Sequence, residues 1–464
     1  MKHAPDRIYD TLKRYWGFTE FRPVQLEIIR SVLEGRDTLA LMPTGGGKSL
    51  TYQVPTLARE GLCIVVTPLI ALMKDQVDRL RARAVPAVAI HSGLSPRQID
   101  IALDNCAYGD VKFLYVAPER LATEAFRLRV VRMNVQLIAV DEAHCISQWG
   151  YDFRPSYLRI AELREKLPGV PVLALTASAT KTVADDIMRH LKFPEPHILR
   201  SSFARPNLSY SVRRTDDKNG QLLRLVRNVP GTGIVYVRTR EGTEQIADLL
   251  RQEGTTAAAY HGGLGHAERS LRQEEWLSGK TRVMVATNAF GMGIDKSNVR
   301  WVIHYNLPKS IESFYQEIGR AGRDGAPADA VLFYSYADIN RMRSFIDESG
   351  QKEVCQEKLN RMMEYAESQV CRRRILLNYF GEVSSHDCGN CDVCENPPQT
   401  FDGTIVTQKA LSAIRRADQQ APFATVIDIL QGKFTPTVVR HHYQELKTFG
   451  AGRDIRYRDW HDYL

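Results

Sequence analysis

Residues 38–49 read Thr-Leu-Ala-Leu-Met-Pro-Thr-Gly-Gly-Gly-Lys-Ser, and this stretch decides the fold. The apolar run Leu39–Met42 predicts a buried strand, and the residues after Lys48 and Ser49 have the periodicity of a helix. A glycine-rich turn between a strand and a helix lets backbone N–H groups surround a phosphate, and the helix N-terminus adds positive potential. The stretch therefore predicts a phosphate-binding loop.

Each residue type in such a loop has a separate task. Lys48 is predicted to reach the β- and γ-phosphates of ATP, and Ser49 is predicted to bind Mg²⁺. Three further residues are predicted to line the nucleotide: Thr44, Gly45 and Gly47. A strict pattern has glycine where this chain has Met42, so the loop is a variant, and a chance glycine-rich turn is the alternative interpretation.

Short apolar runs alternate with helical periodicity on both sides of this loop, as in a parallel sheet wrapped by helices. The pattern lapses near residues 203–207 and then restarts, so we expect two α/β lobes, 1–205 and 206–340. A helical region, 341–400, and a last helical segment, 401–464, follow. The predicted strands are 39–42, 63–66, 113–116, 137–140 and 172–175 in the first lobe, and 233–237, 257–260, 283–286 and 301–304 in the second.

The charge balance suits a polyanionic partner without requiring one. Among 464 residues, 62 Lys and Arg face 54 Asp and Glu, which gives a net charge of +8. The sequence has no apolar stretch of about 18 residues, the length that a membrane span needs. The N-terminus lacks the apolar core of a signal peptide. We therefore expect a cytoplasmic protein with no membrane partner.

A pair of carboxylates follows the predicted strand 137–140. Asp141 at the end of this strand is predicted to bind Mg²⁺, and Glu142 to orient and polarise the attacking water. In the second lobe, Arg320 and Arg323 are predicted to share one face of a helix. They are candidate arginine fingers for the γ-phosphate, and a surface helix that makes salt bridges is the alternative.

Four of the eight cysteines form a candidate metal site: Cys371, Cys388, Cys391 and Cys394. In a cytosolic protein, four soft ligands at such spacings favour a closed, tetrahedral Zn²⁺ site. A redox cysteine pair is the alternative, but it does not need four members. His386 is the competing ligand, and Cys355 is expected to lie outside the site.

These motifs, in this order, resemble those of superfamily 2 helicases, and three segments resemble the RecQ family in particular. The first is Trp16–Gln25, which resembles its adenine-recognition motif. The resemblance implies that Phe18 stacks on the base, Gln25 hydrogen-bonds to its edge, and Arg22 supports the nucleotide. Without the family, the segment indicates an amphipathic helix that leads into a turn.

The second segment, Cys145–Pro155, resembles the aromatic-rich loop by which RecQ proteins report DNA occupancy to the ATP site. Trp149, Phe153 and Arg154 suit stacking on unpaired bases, and a buried aromatic cluster is the alternative. The third is the cysteine cluster, whose spacing resembles that of the family's zinc site. Motifs at 67–70, 176–180 and 286–296 also match, whereas Val237–Arg240 departs from the usual Cys-x-Ser-Arg.

The resemblance implies two RecA-like lobes with parallel sheets, a helical zinc-binding subdomain and a partial winged helix, whose wing strands would follow residue 464. It further implies ATP-dependent 3′→5′ translocation on single-stranded DNA and duplex unwinding in recombination and repair, in the bacterial nucleoid. Expected partners are single-stranded DNA, forked or tailed duplexes and a single-strand-binding protein, with the chain a monomer. Without a wing, we expect good ATPase activity and weak, salt-sensitive unwinding.

Three alternatives are kept. One is a DNA-stimulated ATPase or annealing protein with little unwinding, and the second is an RNA-directed motor of the same superfamily. The third is a zinc-dependent DNA-binding module without catalysis.

Overall fold

The computed structural model describes residues 4–68, 70–150, 152–291, 296–347, 351–398 and 401–464. Tyr151 of the predicted aromatic loop and residues 292–295 of the motif at 286–296 lie outside these ranges. The chain divides into two compact units, Met1–Pro397 and Pro398–Leu464.

The first sheet contains seven strands in the order β3-β4-β2-β5-β6-β1-β7, with neighbours parallel. Its strands are β1 Thr38–Leu41, β2 Leu62–Val66, β3 Ala87–Ile90, β4 Phe113–Val116, β5 Val135–Val140, β6 Val172–Thr176 and β7 Ile198–Arg200. Its helices are α1 Ala4–Trp16, α2 Pro23–Leu33, α3 Leu50–Leu57, α4 Ile70–Arg81, α5 Pro96–Tyr108, α6 Glu124–Val130, α7 Ile160–Lys166 and α8 Lys181–His190. Short 3₁₀ turns occupy Pro118–Ala122, Ala143–Ile146 and Pro155–Arg159.

The second sheet contains six strands in the order β10-β11-β9-β12-β13-β8, again with parallel neighbours. Its strands are β8 Leu208–Arg214, β9 Thr232–Tyr236, β10 Ala257–Tyr260, β11 Val283–Ala286, β12 Val299–His304 and β13 Ala328–Tyr334. Its helices are α9 Lys218–Asn228, α10 Arg240–Gln252, α11 His266–Leu277 and α12 Ile311–Ile318. The predicted tandem α/β lobes are confirmed.

The strands of both sheets are buried because helices cover both faces. All five residues of β2 and all four of β1 are buried. In the first lobe, alternate residues of these strands enter two separate apolar clusters, one on each face of the sheet. Parallel strands buried in this way appear as continuous apolar runs, which is why the sequence predicted nine of them.

A helical region follows the second sheet and packs on its edge strand. Its helices are α13 Tyr336–Asp347, α14 Lys352–Glu367, α15 Arg372–Tyr379 and α16 Asp392–Glu395. Cys391 forms a parallel bridge with Tyr210 of β8. The Asp392 carboxylate accepts a hydrogen bond of 2.8 Å from the Val212 backbone N–H and is paired with Arg372. These contacts cover an edge that would otherwise present unpaired backbone groups.

In the residues that the structure describes, the second unit consists of helices joined by turns. It contains α17 Thr404–Arg416, α18 Phe423–Gln431, α19 Pro436–Arg440 and α20 Tyr457–Tyr463, with a 3₁₀ turn at Tyr443–Glu445. Trp460 is fully buried in its core, and the indole N–H donates a hydrogen bond of 2.9 Å to the Gly452 carbonyl. Across the described ranges, no helix has both the length and the apolar character that crossing a membrane requires.

Candidate functional site

The predicted phosphate loop lies between β1 and α3. Gly45 and Gly47 both have φ of +78°, the left-handed region that glycine adopts without strain. Helix α3 begins at Leu50, so Lys48 and Ser49 lie in the loop itself, with Ser49 at the N-cap. The Thr51 hydroxyl donates a hydrogen bond of 2.6 Å to the Lys48 carbonyl and fixes the junction between loop and helix.

Two of the three predicted adenine-recognition residues contact this loop. The Gln25 side-chain amide donates a hydrogen bond of 3.0 Å to the Gly46 carbonyl, and Arg22 Nη1 donates one of 3.1 Å to the Gly45 carbonyl. A Cβ atom at Gly47 would lie 2.4 Å from Gln25 Nε2, so a larger residue there would displace the Gln25 amide, and the positive φ of Gly47 also favours glycine. Phe18 has 56% of its surface exposed and is available to stack on a base.

The carboxylates Asp141 and Glu142 follow β5, as the sequence predicted for their position. Burial and the neighbouring Glu142 raise the pKa of Asp141 to about 6, and the Lys48 ammonium acts in the opposite direction. Burial, and next the charges of Tyr115 and Asp141, raise the pKa of Tyr52, whose hydroxyl lies 3.2 Å from the Tyr115 hydroxyl. The carboxylate of Asp141 and the hydroxyl of Ser49 are oxygen donors of the kind that suits Mg²⁺.

Glu142 has an unusual backbone for a residue with a side chain. Its φ of +48° and ψ of +46° lie in the left-handed region, where strain is common at functional sites. Its Oε2 atom is buried and lacks a hydrogen bond among the described residues. The ring nitrogen Nδ1 of His144 lies 3.4 Å from this oxygen. One carboxylate oxygen of Glu142 therefore remains able to accept a hydrogen bond.

His144 connects the carboxylates to the motif at 176–180. Its Nδ1 lies 2.9 Å from the Thr176 hydroxyl at the end of β6. Burial, and next the Lys48 ammonium, lower the pKa of His144 to about 3. The ring is therefore neutral near pH 7, and it orients groups without adding a charge beside the phosphate loop.

The aromatic loop begins directly beyond His144. A Cβ atom at Gly150 would lie 2.3 Å from the His144 carbonyl oxygen, so the two backbones touch. Arg154 Nη1 donates a hydrogen bond of 3.2 Å to the Pro68 carbonyl of the motif at 67–70. Trp149 is 48% exposed. The loop therefore contacts the His144 backbone through Gly150 and the motif at 67–70 through Arg154, and it leaves the aromatic side chain of Trp149 exposed.

Phe153 is half-buried and lines a cleft of about 680 Å³ between the lobes and the helical region. Cations from three separate elements face this cleft: Arg238, Lys309 and Lys358. Lys358 Nζ, on α14, also donates a hydrogen bond of 2.7 Å to the Gly150 carbonyl. The combination of an aromatic ring with cations suits a single strand of nucleic acid.

The second lobe meets the phosphate loop through residues 319–323. A Cβ atom at Gly319 would lie 3.2 Å from Thr44 Oγ1, and one at Gly45 would lie 3.5 Å from Arg323 Cγ. Thr44 Oγ1 is buried without a hydrogen bond among the described residues. The two lobes are therefore in close contact at the phosphate loop.

The prediction that Arg320 and Arg323 share a helical face is wrong. Helix α12 ends at Ile318, and the arginines lie in the turn that follows, where Gly322 has φ of +57°. The turn sends Arg323 toward the phosphate loop. Arg320 is buried instead and donates a hydrogen bond to the Gly291 carbonyl within the second lobe.

The four predicted cysteines converge in the helical region. The Sγ atoms of Cys371, Cys388, Cys391 and Cys394 all lie within 4.8 Å of one another. The Cys388 backbone N–H donates a hydrogen bond of 3.3 Å to Cys371 Sγ. Four cysteine sulfurs at this spacing fit a tetrahedral Zn²⁺ ion, which prefers such soft ligands.

Sequence-family models cover nearly the whole chain. They are described as DEAD/DEAH box helicase (residues 22–187), helicase conserved C-terminal domain (217–325), RecQ zinc-binding (336–395) and RQC domain (397–464). The ATP-dependent DNA helicase RecQ of Haemophilus influenzae is 44% identical over 97% of this chain and 73% of its own length. That of Bacillus subtilis is 41% identical over 96% of this chain and 76% of its own length.

The chain belongs to the RecQ family.

A solved structure supports the fold of this RecQ-family chain. The Mycobacterium smegmatis helicase Lhr, bound to single-stranded DNA and AMP-PNP, matches with a TM-score of 0.57 and 20% sequence identity. The match covers 83% of this chain and 56% of that one. At this identity the likeness concerns the fold alone.

RecQ membership settles the cofactors that the sequence predicted, ATP and structural zinc. The zinc ligands are the four cysteines. His386 lies outside the described cluster, and its Nδ1 is 3.1 Å from the Ser385 hydroxyl. Cys355 lies outside the cluster too, as expected. Four thiols this close together argue against the redox alternative, because a redox cysteine pair needs two cysteines and not four.

Sequence reasoning missed the residues that tie these RecQ motifs together. Lys358 contacts the aromatic loop from 208 residues away, and Arg205 contacts the turn at 319–322 across more than a hundred. Neither belongs to a motif with a chemical signature, and each acts through backbone carbonyls. The one available signal for Arg205 was that it is the one charged residue among residues 202–208 between the lobes.

Proposed function

We propose that this protein hydrolyses ATP to move 3′→5′ along single-stranded DNA and to unwind duplex DNA in recombination and repair. The observation that carries the proposal is the contact of both lobes at one phosphate loop. Gly319 and Arg323 of the second lobe lie against Thr44 and Gly45 of the first. A nucleotide held there bridges the lobes, so its hydrolysis changes their separation and moves a strand bound across both.

The roles proposed for the catalytic residues follow from their surroundings. Lys48 neutralises the β- and γ-phosphates, and Ser49 and Asp141 hold Mg²⁺, which supplies further positive charge when bound. Glu142 orients the attacking water and accepts its proton, since its buried Oε2 has no competing hydrogen bond among the described residues. Arg323 stabilises the charge that develops on the γ-phosphate.

Nucleotide recognition is assigned to the segment that precedes the loop. Phe18 stacks on adenine, Gln25 reads its edge, and Arg22 supports the nucleotide from beside the loop. Thr44, Gly45 and Gly47 surround the phosphates. The support is the pair of hydrogen bonds from Gln25 and Arg22 to the loop carbonyls, because they link base recognition to the shape of the phosphate site.

Strand sensing is assigned to Trp149, Phe153 and Arg154. Bases that stack on the exposed Trp149, or in the cleft beside Phe153, shift the aromatic loop. Gly150 of this loop contacts the His144 carbonyl, so the shift reaches His144. His144 in turn contacts Thr176 and lies beside Glu142. DNA occupancy therefore alters the position of the water-orienting carboxylate.

The proposed division of labour follows the predicted domains. Residues 1–205 bind the nucleotide, 206–340 supply Arg323, 341–400 hold zinc, and 401–464 form part of a winged helix. We further propose a monomer, because Arg323 reaches the phosphate loop of its own chain. Forked or tailed duplexes, a single-strand-binding protein and the nucleoid are proposed as partners and location from family resemblance and the net charge of +8.

The test measures ATP hydrolysis and strand separation on the same 3′-tailed DNA duplex. We expect both activities, a much slower reaction on a 5′-tailed duplex, and weak stimulation by an RNA strand. Glu142→Gln serves as the hydrolysis-deficient control. Hydrolysis without strand separation would favour a DNA-stimulated ATPase or annealing protein, and stronger stimulation by RNA would overturn the DNA assignment.

A further inference from the structure

The interlobe linker, residues 202–208, is held on one side by the helical region. The Glu382 carboxylate accepts hydrogen bonds from the Ser202 hydroxyl at 2.6 Å and from the Phe203 backbone N–H at 2.8 Å. The Phe203 ring stacks on Phe380 with centroids 4.8 Å apart and an interplanar angle of 20°. The start of the linker is therefore fixed by side-chain contacts.

The end of the linker is held by two side chains that adjoin the zinc ligands in the sequence. Arg373 Nη2 donates a hydrogen bond of 2.9 Å to the Leu208 carbonyl and one of 3.3 Å to the Pro206 carbonyl. Asn390, which lies between two zinc ligands, donates from Nδ2 to the same two carbonyls at 3.3 and 3.4 Å. The backbone on both sides of Arg205 is thus anchored.

Arg205 projects from this anchored backbone to the turn that carries the second-lobe arginines. Its Nη2 donates hydrogen bonds to the Ala321 and Gly322 carbonyls at 2.9 and 3.0 Å, and its Nη1 donates one of 3.3 Å to the Gly319 carbonyl. These carbonyls follow the C-terminus of α12, where helical partners are lacking and a cation is favoured.

Arg323 depends on the same turn. Its Nε donates a hydrogen bond of 3.3 Å to the Gly319 carbonyl, so that one oxygen accepts from both Arg205 and Arg323. Asn207 adds hydrogen bonds of 2.8 and 2.9 Å to the Gly322 and Ala326 carbonyls. A catalytic group displaced by about 1 Å loses on the order of a hundredfold in rate.

We propose that Arg205 is a positioning residue for ATP hydrolysis: it holds the turn 319–322 so that Arg323 reaches the γ-phosphate. This inference rests on the proposed function, since it assigns Arg205 a part in that same site. A lysine cannot replace it, because three carbonyls at these positions need the planar fork of a guanidinium.

The first test compares Arg205→Lys with the wild-type protein and with Arg213→Lys. Arg213 is an exposed arginine close in the chain that contacts Gln221 instead of the turn. We expect Arg205→Lys to lower kcat about 10- to 100-fold, with the KM for ATP, the affinity for single-stranded DNA and the melting temperature almost unchanged. Equal losses in kcat and nucleotide affinity, or no loss of kcat, would overturn the proposal.

The second test combines Arg205→Lys with Arg323→Ala. If Arg205 acts through Arg323, the double variant should hydrolyse ATP within about twofold of the rate of Arg323→Ala alone. Multiplied losses would show that Arg205 acts by another route and would overturn the inference. A fully active Arg323→Ala would instead overturn the proposed function, so the two failures are distinguishable.

Discussion

The Lys358 side chain donates a hydrogen bond of 2.7 Å to the backbone carbonyl of Gly150, from the helix that precedes the zinc ligands. Gly150 also touches the His144 carbonyl, so this contact joins the helical region to the segment that carries Glu142. Burial lowers the pKa of Lys358, although Glu312 partly offsets the effect. A half-buried cation that donates to a loop carbonyl constrains where that loop lies.

Removal of this contact should weaken the response to DNA. In Lys358→Met the Gly150 carbonyl loses its donor, which costs about 1–3 kcal/mol for a buried group. We expect DNA-stimulated hydrolysis to fall by about 5-fold or more, the factor to which about 1 kcal/mol corresponds, with basal hydrolysis unchanged. Lys352→Met is the matched control, because Lys352 lies on the same helix and pairs with Asp347 at the surface. An identical loss in both variants would contradict the prediction.

Phe153→Ala tests whether the aromatic loop senses DNA. Loss of a stacked base costs about 1–3 kcal/mol, so stimulation by single-stranded DNA should fall far more than the basal rate. The measurement is ATP hydrolysis with and without a saturating oligonucleotide. Equal reduction of both rates would mean that Phe153 serves the core of the protein instead.

Glu142→Gln should separate nucleotide binding from cleavage. The amide keeps the size of the side chain but cannot accept the proton of the attacking water, so hydrolysis should slow by about 10²- to 10⁴-fold. Binding of a fluorescent ATP analogue should stay within about twofold of the wild-type affinity. Glu162→Gln, at an exposed pair with Arg127, provides the control. Loss of nucleotide binding in Glu142→Gln would move this residue from catalysis to recognition.

The two arginines of the 319–323 turn should behave differently when each is replaced by alanine. Arg323→Ala should lower kcat by on the order of 10³-fold and preserve the fold, because its contact is with the phosphate site. Arg320→Ala should lower the melting temperature as well as turnover, since it leaves the buried Gly291 carbonyl without its donor. Thermal unfolding and ATP hydrolysis are measured for both variants. Equal melting temperatures for Arg320→Ala and Arg323→Ala would contradict the prediction.

Cys391→Ser should release zinc and leave insoluble or unfolded protein. Zinc binding and local folding are coupled in sites of this kind, and Cys391 also pairs with β8. Metal analysis of the purified protein checks the first point, and Cys106→Ser, far along the chain, controls for loss of a buried thiol. Active wild-type protein without bound zinc would contradict the assignment.

The sequence predicted the strands that are buried on both faces of a sheet, because such strands form continuous apolar runs. It missed β3, β7 and β8, which lie at sheet edges, and β13, the neighbour of β8. Along β8 the buried residues alternate with half-exposed ones, and two exposed arginines end the strand. An edge strand of this kind gives no continuous apolar run.

Spacing predicted which residues belong to the site but not how they are aimed. The argument from three-residue spacing assumed that the helix continues through Arg320 and Arg323. In the structure α12 ends at Ile318, and Gly322, with positive φ, changes the direction of the chain. The contacts of Lys358 and Arg205 are made with backbone carbonyls far along the chain. Carbonyls are the same in every residue, so no sequence pattern marks them as partners.

The strand order of the first lobe also governs how that lobe is assembled during translation. Strand β1, which leads into the phosphate loop, lies between β6 and β7, both made much later by the ribosome. At roughly 5–20 residues per second, β1 waits on the order of ten seconds with both edges unpaired. The nascent chain therefore exposes an apolar strand with unpaired edges early, and a chaperone that shields the emerging N-terminal half should raise the yield of active protein.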